Sequence, residues 1–250
     1  MSLIVEVNRQ WRAVSEPAFS PGFNIEKFDE TVPVRSSSVE IVDGDGEYDV
    51  PVTRGARKIR IAGYVVADSP DRLDAYELAH RAVLADGAAG QVTIARQFAT
   101  VRGSAKLGDY VSFDRTFKSR ADFDITFKFD DPRLYGKLNR FPLGILGVPV
   151  FHRGNYPAIP IITVSGSGSN DYSIYGPDGK QYRVTQDLVA GHPHVIDLRT
   201  GQLSIDGVVI FGGVTIADTW AIPGGRTVTC SFDPNGNSAT ATLALRETYF

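Results

Sequence analysis

The chain has 250 residues, 42% of them hydrophobic and 22% charged, with a formal net charge of −3 and a single cysteine. Such a length and apolar content supply one large or two ordinary cored domains and argue against disorder, while the acidic balance lacks the basic excess behind tight binding to nucleic acid or anionic membranes. Cys230 has no partner for an internal disulfide, and no stretch approaches the ~20 apolar residues of a membrane helix or the core of a signal peptide, so a soluble, unprocessed chain without membrane insertion is expected.

In chain order, residues 2–7, 23–28, 38–42, 58–66, 91–95 and 122–129 carry β-branched and aromatic residues with near period-two alternation and are predicted as strands. In the last of these, Phe123, Ile125, Phe127 and Phe129 face one way and Asp122, Asp124, Thr126 and Lys128 the other, predicting one buried and one wet face. One helix, over about 70–86, interrupts the strands. Ser69 is its N-cap, Pro70 its first residue and Asp71 its first-turn acid; Leu73, Tyr76, His80, Val83 and Leu84 form its stripe, and Gly87 ends it in a left-handed cap. A lone amphipathic helix among strands lies on a sheet.

Charge then thins out. Residues 1–140 hold 41 charged side chains and residues 141–250 hold 14. The shift predicts two domains, 1–140 and 154–250, joined by a Pro/Gly-punctuated crossing segment at 141–153. Past it, residues 159–166, 171–176, 181–186, 193–201, 202–207, 208–213, 214–222, 226–232 and 239–247 read as short strands with turn signals at GPDG, DG, PGG and DPNG, the pattern of a β-sandwich or barrel.

No residue set assembles a reaction. Adjacent Asp130 and Asp131 on an extended strand point to opposite faces, and Asp131-Pro132 reads as a turn in which the carboxylate accepts a backbone N–H two residues on. His80, His152, His192 and His194 are scattered without a third ligand at metal spacing. The acidic run Asp43–Asp49 reads as a hairpin tip rather than a calcium loop. Residues 166–169, GSGS, read as a flexible turn, not a phosphate cradle. Cys230 alternates into a core. Trp220 with Tyr172, Tyr175 and Tyr182 could make a stacking platform for a sugar; alignment of Ile216, Trp220 and Ile222 on one strand face favours a core instead. Catalytic, cofactor and metal residues are therefore all assigned as none.

The order of parts, from GYVVADSPDRLDAYELAHRAVLA through DFDITFKFDDPRLYG to GNYPAIPIITVSGSGS, HVIDLRTGQLSIDG and WAIPGGRTVTC, resembles the distal tail protein (Dit) of long-tailed siphophages over essentially the whole chain. Gly154, Asn155, Pro157 and Ile159 fit the family's entry into its second domain; Gly225 and Arg226 stand where many relatives carry an asparagine after the Pro-Gly of the late turn. The resemblance implies a mainly β chain: an N-terminal β-sandwich with one added α-helix and hairpin that forms a homohexameric ring, and a C-terminal galectin-like or carbohydrate-binding-module-like β-sandwich. It implies a non-enzymatic tail-tip hub, made in the host cytoplasm and located in the virion, that joins the tail tube protein to tail-tip proteins and lets DNA pass without holding it. Charge-rich stretches such as RGARKIRIAGYVV are the expected ring edges. Two other readings are a glycan-binding module that recognises the host surface through Trp220 and the tyrosines, and a hydrolase using Asp130 or Asp131.

Overall fold

Alternating burial carries most of the chain into strands, and the chain divides into two compact units, residues 1–134 and 135–250. The structure is a computed structural model that describes residues 3–15, 21–36, 41–43, 45, 48 and 52–250. Most of the predicted strand at 38–42 and much of the acidic run at 43–49 lie outside the described residues.

The first unit contains β1 (Ile4–Val7), β2 (Trp11–Val14), β3 (Gly22–Thr31), a small hairpin of β4 (Val34–Arg35) and β5 (Thr53–Arg54), β6 (Arg57–Val66), β7 (Gly90–Arg96), β8 (Ala99–Phe117) and β9 (Arg120–Phe129). Its main sheet runs β8-β7-β1-β2-β3-β6-β9, and β9 pairs again with β8. The mainly β first unit thus takes the form of a sheet closed on itself. Closure follows from the 19-residue length of β8: residues 99–105 pair with β7 and residues 106–117 with β9. Irregularities between Leu107 and Val111 and between Arg115 and Phe117 bend the strand between these partners. Gly103 lies beneath Phe129, and a Cβ there would sit 2.7 Å from that ring.

Two expectations change in this setting. RGARKIRIAGYVV does not provide an edge, because β6 is hydrogen-bonded to β3 on one side and to β9 on the other. Its alternation buries Ile59, Ile61 and Val65, and Gly63 admits the β3 bulge, with a Cβ there only 2.0 Å from the Asn24 carbonyl. Nor is the second face of β9 wet throughout. Phe123, Ile125, Phe127 and Phe129 fill the core as expected, but Asp124 and Thr126 are also buried, covered by Arg60 from β6 and by Gly108 at the β8 bulge.

The helix α1 (Pro70–Ala82) starts as the sequence dictates: Ser69 is extended, and its hydroxyl accepts the Arg72 N–H at 3.2 Å. Leu73 and His80 are completely buried, with Phe23 stacked on the His80 ring. The helix ends four residues before the predicted 86. Leu84, not Gly87, makes the first left-handed turn, at φ 48°. Its side chain is drawn inward over Gly90, where a Cβ would clash at 2.3 Å. The chain must reverse early to bring that residue into the core on its way to β7. Gly87 is left-handed as well, at φ 74°, in the turn that follows.

The second unit packs two sheets. One has the order β17-β16-β15-β12-β20-β10, from β10 (Leu134–Leu143), β12 (Ile161–Ser167), β15 (His194–Asp197), β16 (Gln202–Ile205), β17 (Val208–Ile210) and β20 (Ser238–Tyr249). The other has the order β11-β19-β13-β14-β18, from β11 (Val148–Val150), β13 (Tyr172–Tyr175), β14 (Gln181–Val184), β18 (Val214–Ala217) and β19 (Val228–Asp233). Ile162, Val164, Ile196 and Leu243 of the first sheet meet Ile174, Tyr182, Val184 and Phe232 of the second in one core. Residues 141–153, expected as a crossing segment, supply the end of β10 and all of β11, which pairs with β19. The late strand predicted at 214–222 stops at Ala217, and Ile222 reappears as a bridge to Ala158.

Truncating the β9 core residue Phe127→Ala is expected to cost about 3–5 kcal/mol, and removing the helix cap by Ser69→Ala about 1 kcal/mol. Urea unfolding of the two variants checks this; a Phe127→Ala midpoint equal to the parent's would refute the closed core.

Candidate functional site

The paired aspartates turn the chain. Asp131 Oδ1 accepts the Arg133 backbone N–H at 3.1 Å and Arg133 Nε at 2.7 Å, and Oδ2 accepts Nη2 at 3.1 Å. This is the side-chain-supported turn that Asp-Pro favours. The Pro132 carbonyl accepts Nε of buried Arg57 at 2.6 Å. Asp130 points to solvent, 3.8 Å from each of Lys106 and Lys128. Asp124, read from sequence as a solvent-face residue, is instead gripped by Arg60, whose Nε reaches its carboxylate oxygens at 3.0 and 2.9 Å. That contact holds the Arg60 guanidinium charged, its pKa raised by the carboxylate.

The four histidines occupy four separate environments. His80 donates from Nε2 to the Ser112 carbonyl at 3.0 Å. His152 is fully buried, donating from Nε2 to the Ile222 carbonyl and accepting the Gly154 N–H on Nδ1, each at 3.1 Å. Although only two residues apart, His192 and His194 do not share a face: His192 precedes the strand, exposed beside Asp206, whereas His194 opens β15 with its ring buried. The Tyr172 hydroxyl donates to His194 Nδ1 at 2.9 Å. Burial pushes the Tyr172 pKa up and the His194 pKa down, so the phenol keeps its proton and the ring stays neutral. Among the described residues no His, Cys, Asp and Glu gather into a metal-holding group.

The aromatic platform dissolves into the core. Trp220 is 7% exposed and lies against Gly176, where a Cβ would fall 2.5 Å from the indole. Tyr172 and Tyr182 are buried, with the Tyr182 hydroxyl donating to the Gly201 carbonyl at 2.8 Å and its pKa pushed up to about 12 by burial. Tyr175 alone of the four remains at the surface. The segment at 166–169 is no flexible turn. Gly166 pairs with Ala239 inside the β12–β20 ladder, and at Gly168 a Cβ would meet Asn237 Oδ1 at 2.0 Å. Both glycines give room to a neighbouring chain: the Asn237 amide accepts the Asn170 N–H at 3.1 Å and donates to the Asn170 carbonyl at 2.7 Å. Cys230 is buried, as its alternation predicts, and burial raises its thiol pKa to about 11.

One feature of the first unit had no sequence signal. A groove of about 790 Å³ is walled by Phe28, Lys58, Arg60, Asp109, Tyr110 and Thr126 among others. It exists because the β8 bulge swings Asp109 and Tyr110 out beside β6, where Asp109 meets Lys58, 51 residues away in sequence. Its charges are already matched. Lys58 bonds Asp109, holding that carboxyl below its ordinary range, and Arg60 is committed to Asp124. On the same wall, Glu30 ties buried Arg57 to Arg96.

A solved structure bears on the whole arrangement. The SPP1 Dit (gp 19.1) protein, described as a paradigm of hub adsorption apparatus in Gram-positive infecting phages, superposes with a TM-score of 0.70 at 13% identity, covering 99% of each chain. The chain has the fold of that hub protein. A chain of the phage p2 baseplate in its activated conformation with strontium gives a TM-score of 0.47 at 8% identity over 97% of each chain, and one with calcium gives 0.43 at 9% identity. No protein-family model and no curated protein matches the chain.

Trp11 and Trp220 are the only tryptophans, and both are buried. Acrylamide is expected to quench native fluorescence only weakly and to quench it strongly after unfolding; strong quenching in the native state would restore a surface indole. A disulfide reagent at mildly alkaline pH is likewise expected to label Cys230 only after denaturation.

Proposed function

We propose that this protein is a structural hub of a phage tail tip, a homohexameric ring joining the tail tube to the tip and adhesion proteins. The carrying observation is the fold shared with SPP1 Dit along the full length of both chains. In this reading the first unit builds the ring, the second is a galectin-like sandwich on its outside, and DNA passes through without being held.

Physical features of the chain support the reading. Charged side chains of the first unit form internal pairs, among them Lys58–Asp109, Arg60–Asp124 and Glu30–Arg57, and the net charge of −3 offers no attraction to a phosphate backbone. Subunits that close a ring use two different surfaces, one on each side. With β6 interior, the strand available for such a contact is the outer half of β3: among the described residues its positions 27–31 pair with β6 alone.

Light scattering of the purified protein, alone and mixed with the cognate tail tube protein, is expected to show a particle six times the 27.2 kDa chain mass in at least one condition. A monomer in both conditions would overturn the ring. Gel-shift titration with double-stranded DNA at moderate salt is expected to show negligible binding, and tight binding would overturn the open passage.

A further inference from the structure

We propose that α1 is an acid-released latch, with His80 holding the helix against the barrel only while its imidazole is neutral. The inference rests on the geometry of this residue and is independent of the hub reading. His80 is wholly buried, and one ring nitrogen, Nε2, is used on the Ser112 carbonyl at 3.0 Å. The other, Nδ1, meets no hydrogen-bond partner among the described residues. Aromatic rings surround it: Phe23 stacks at 5.7 Å, Phe123 stands edge-on at 5.7 Å, and Phe113 and Trp11 lie tilted at 5.8 and 6.0 Å. A neutral ring satisfies this cage with one N–H and one idle lone pair. A second proton would place a charge where there is no solvent, offset only by the weaker pull of the Asp124 backbone.

The neighbouring charges do not rescue that cation. On α1, Arg81 repels it. On β9, Asp124 attracts it, but that carboxylate is already chelated by Arg60 of β6. On β8 the ring meets the Ser112 carbonyl and Phe113, while Arg115 is committed to Asp74 and Glu77 of the helix at 2.5 and 2.7 Å. From β2 and β3 come the Trp11 and Phe23 rings. Burial therefore lowers the His80 pKa below its ordinary 6.5, against the weaker pull of the Ser112 and Asp124 backbone.

A group depressed in the docked state and ordinary in the open one favours docking above its open-state value. That preference is lost as pH falls through 6.5 toward the docked value. The outer clamp titrates elsewhere: Arg115 and Arg81 hold the Glu77 carboxyl below its ordinary 4.5, so it keeps its charge throughout that window. Acid thus loosens the inner contact first.

Hydrogen exchange followed by mass spectrometry on the full chain tests this, with rates corrected for intrinsic chemistry. Between about pH 7.5 and about pH 5.5, a single ionisation at 6.5 in the open state raises the opening constant of residues 70–82 by up to roughly tenfold. His80→Gln, which can still donate to Ser112, and His80→Phe, which fills the cage, are each expected to abolish that acceleration. Absence of acceleration in the parent protein overturns the latch, as does its persistence in whichever variant folds. Equal acceleration at β7, residues 90–96, also overturns it, since protonation would then be read by the whole unit rather than by the helix.

Discussion

The first unit depends on one strand serving two ladders. β8 carries 19 residues, and because its two halves pair with β7 and β9 respectively, the sheet returns to itself instead of ending in two edges. A strand can do this only by bending, and bulges are the means by which a ladder bends without losing its flanking hydrogen bonds. The residues extruded at the bend, Asp109 and Tyr110, form one wall of the charged groove. Pairing with β3 and β9 makes β6 an interior strand, and Arg60 of β6 and the β8 bend at Gly108 cover Asp124 and Thr126 on the side of β9 that alternation marks as wet.

The helix sits where this arrangement needs a lid. Trp11, Phe23, Phe113 and Phe123 converge on His80, and the helix brings that ring into their midst while Asp74 and Glu77 fasten Arg115 from outside. Inner and outer contacts differ in kind. The outer pairs are exposed and screened, so each contributes little; the inner one is sealed and strongly dependent on the protonation of a single ring.

In the second unit glycines set the close approaches. Gly176 makes room for Trp220, Gly168 for Asn237, and Gly154 for the Thr248 carbonyl, which a Cβ would meet at 2.0 Å. Each contact draws a side chain or a strand inward, and Trp220, Tyr172 and Tyr182 are consumed as core.

Sequence by itself determined what local chemistry dictates. The Ser69-Pro70 helix start, the Asp131-Pro132 turn, the buried face of β9, the core role of Cys230 and the strand-rich second unit all follow from interactions within a few residues. The tertiary structure alone decided what depends on distant partners. Whether β6 is an edge, whether the back of β9 is wet, where the helix stops and whether Trp220 reaches solvent were settled by β3 with β9, by the β8 bend, by Gly90 and by Gly176, contacts that alternation does not report. Alternation reports that a strand has two faces, but only the arrangement of the other strands decides which of those faces, and which edges, are left for water.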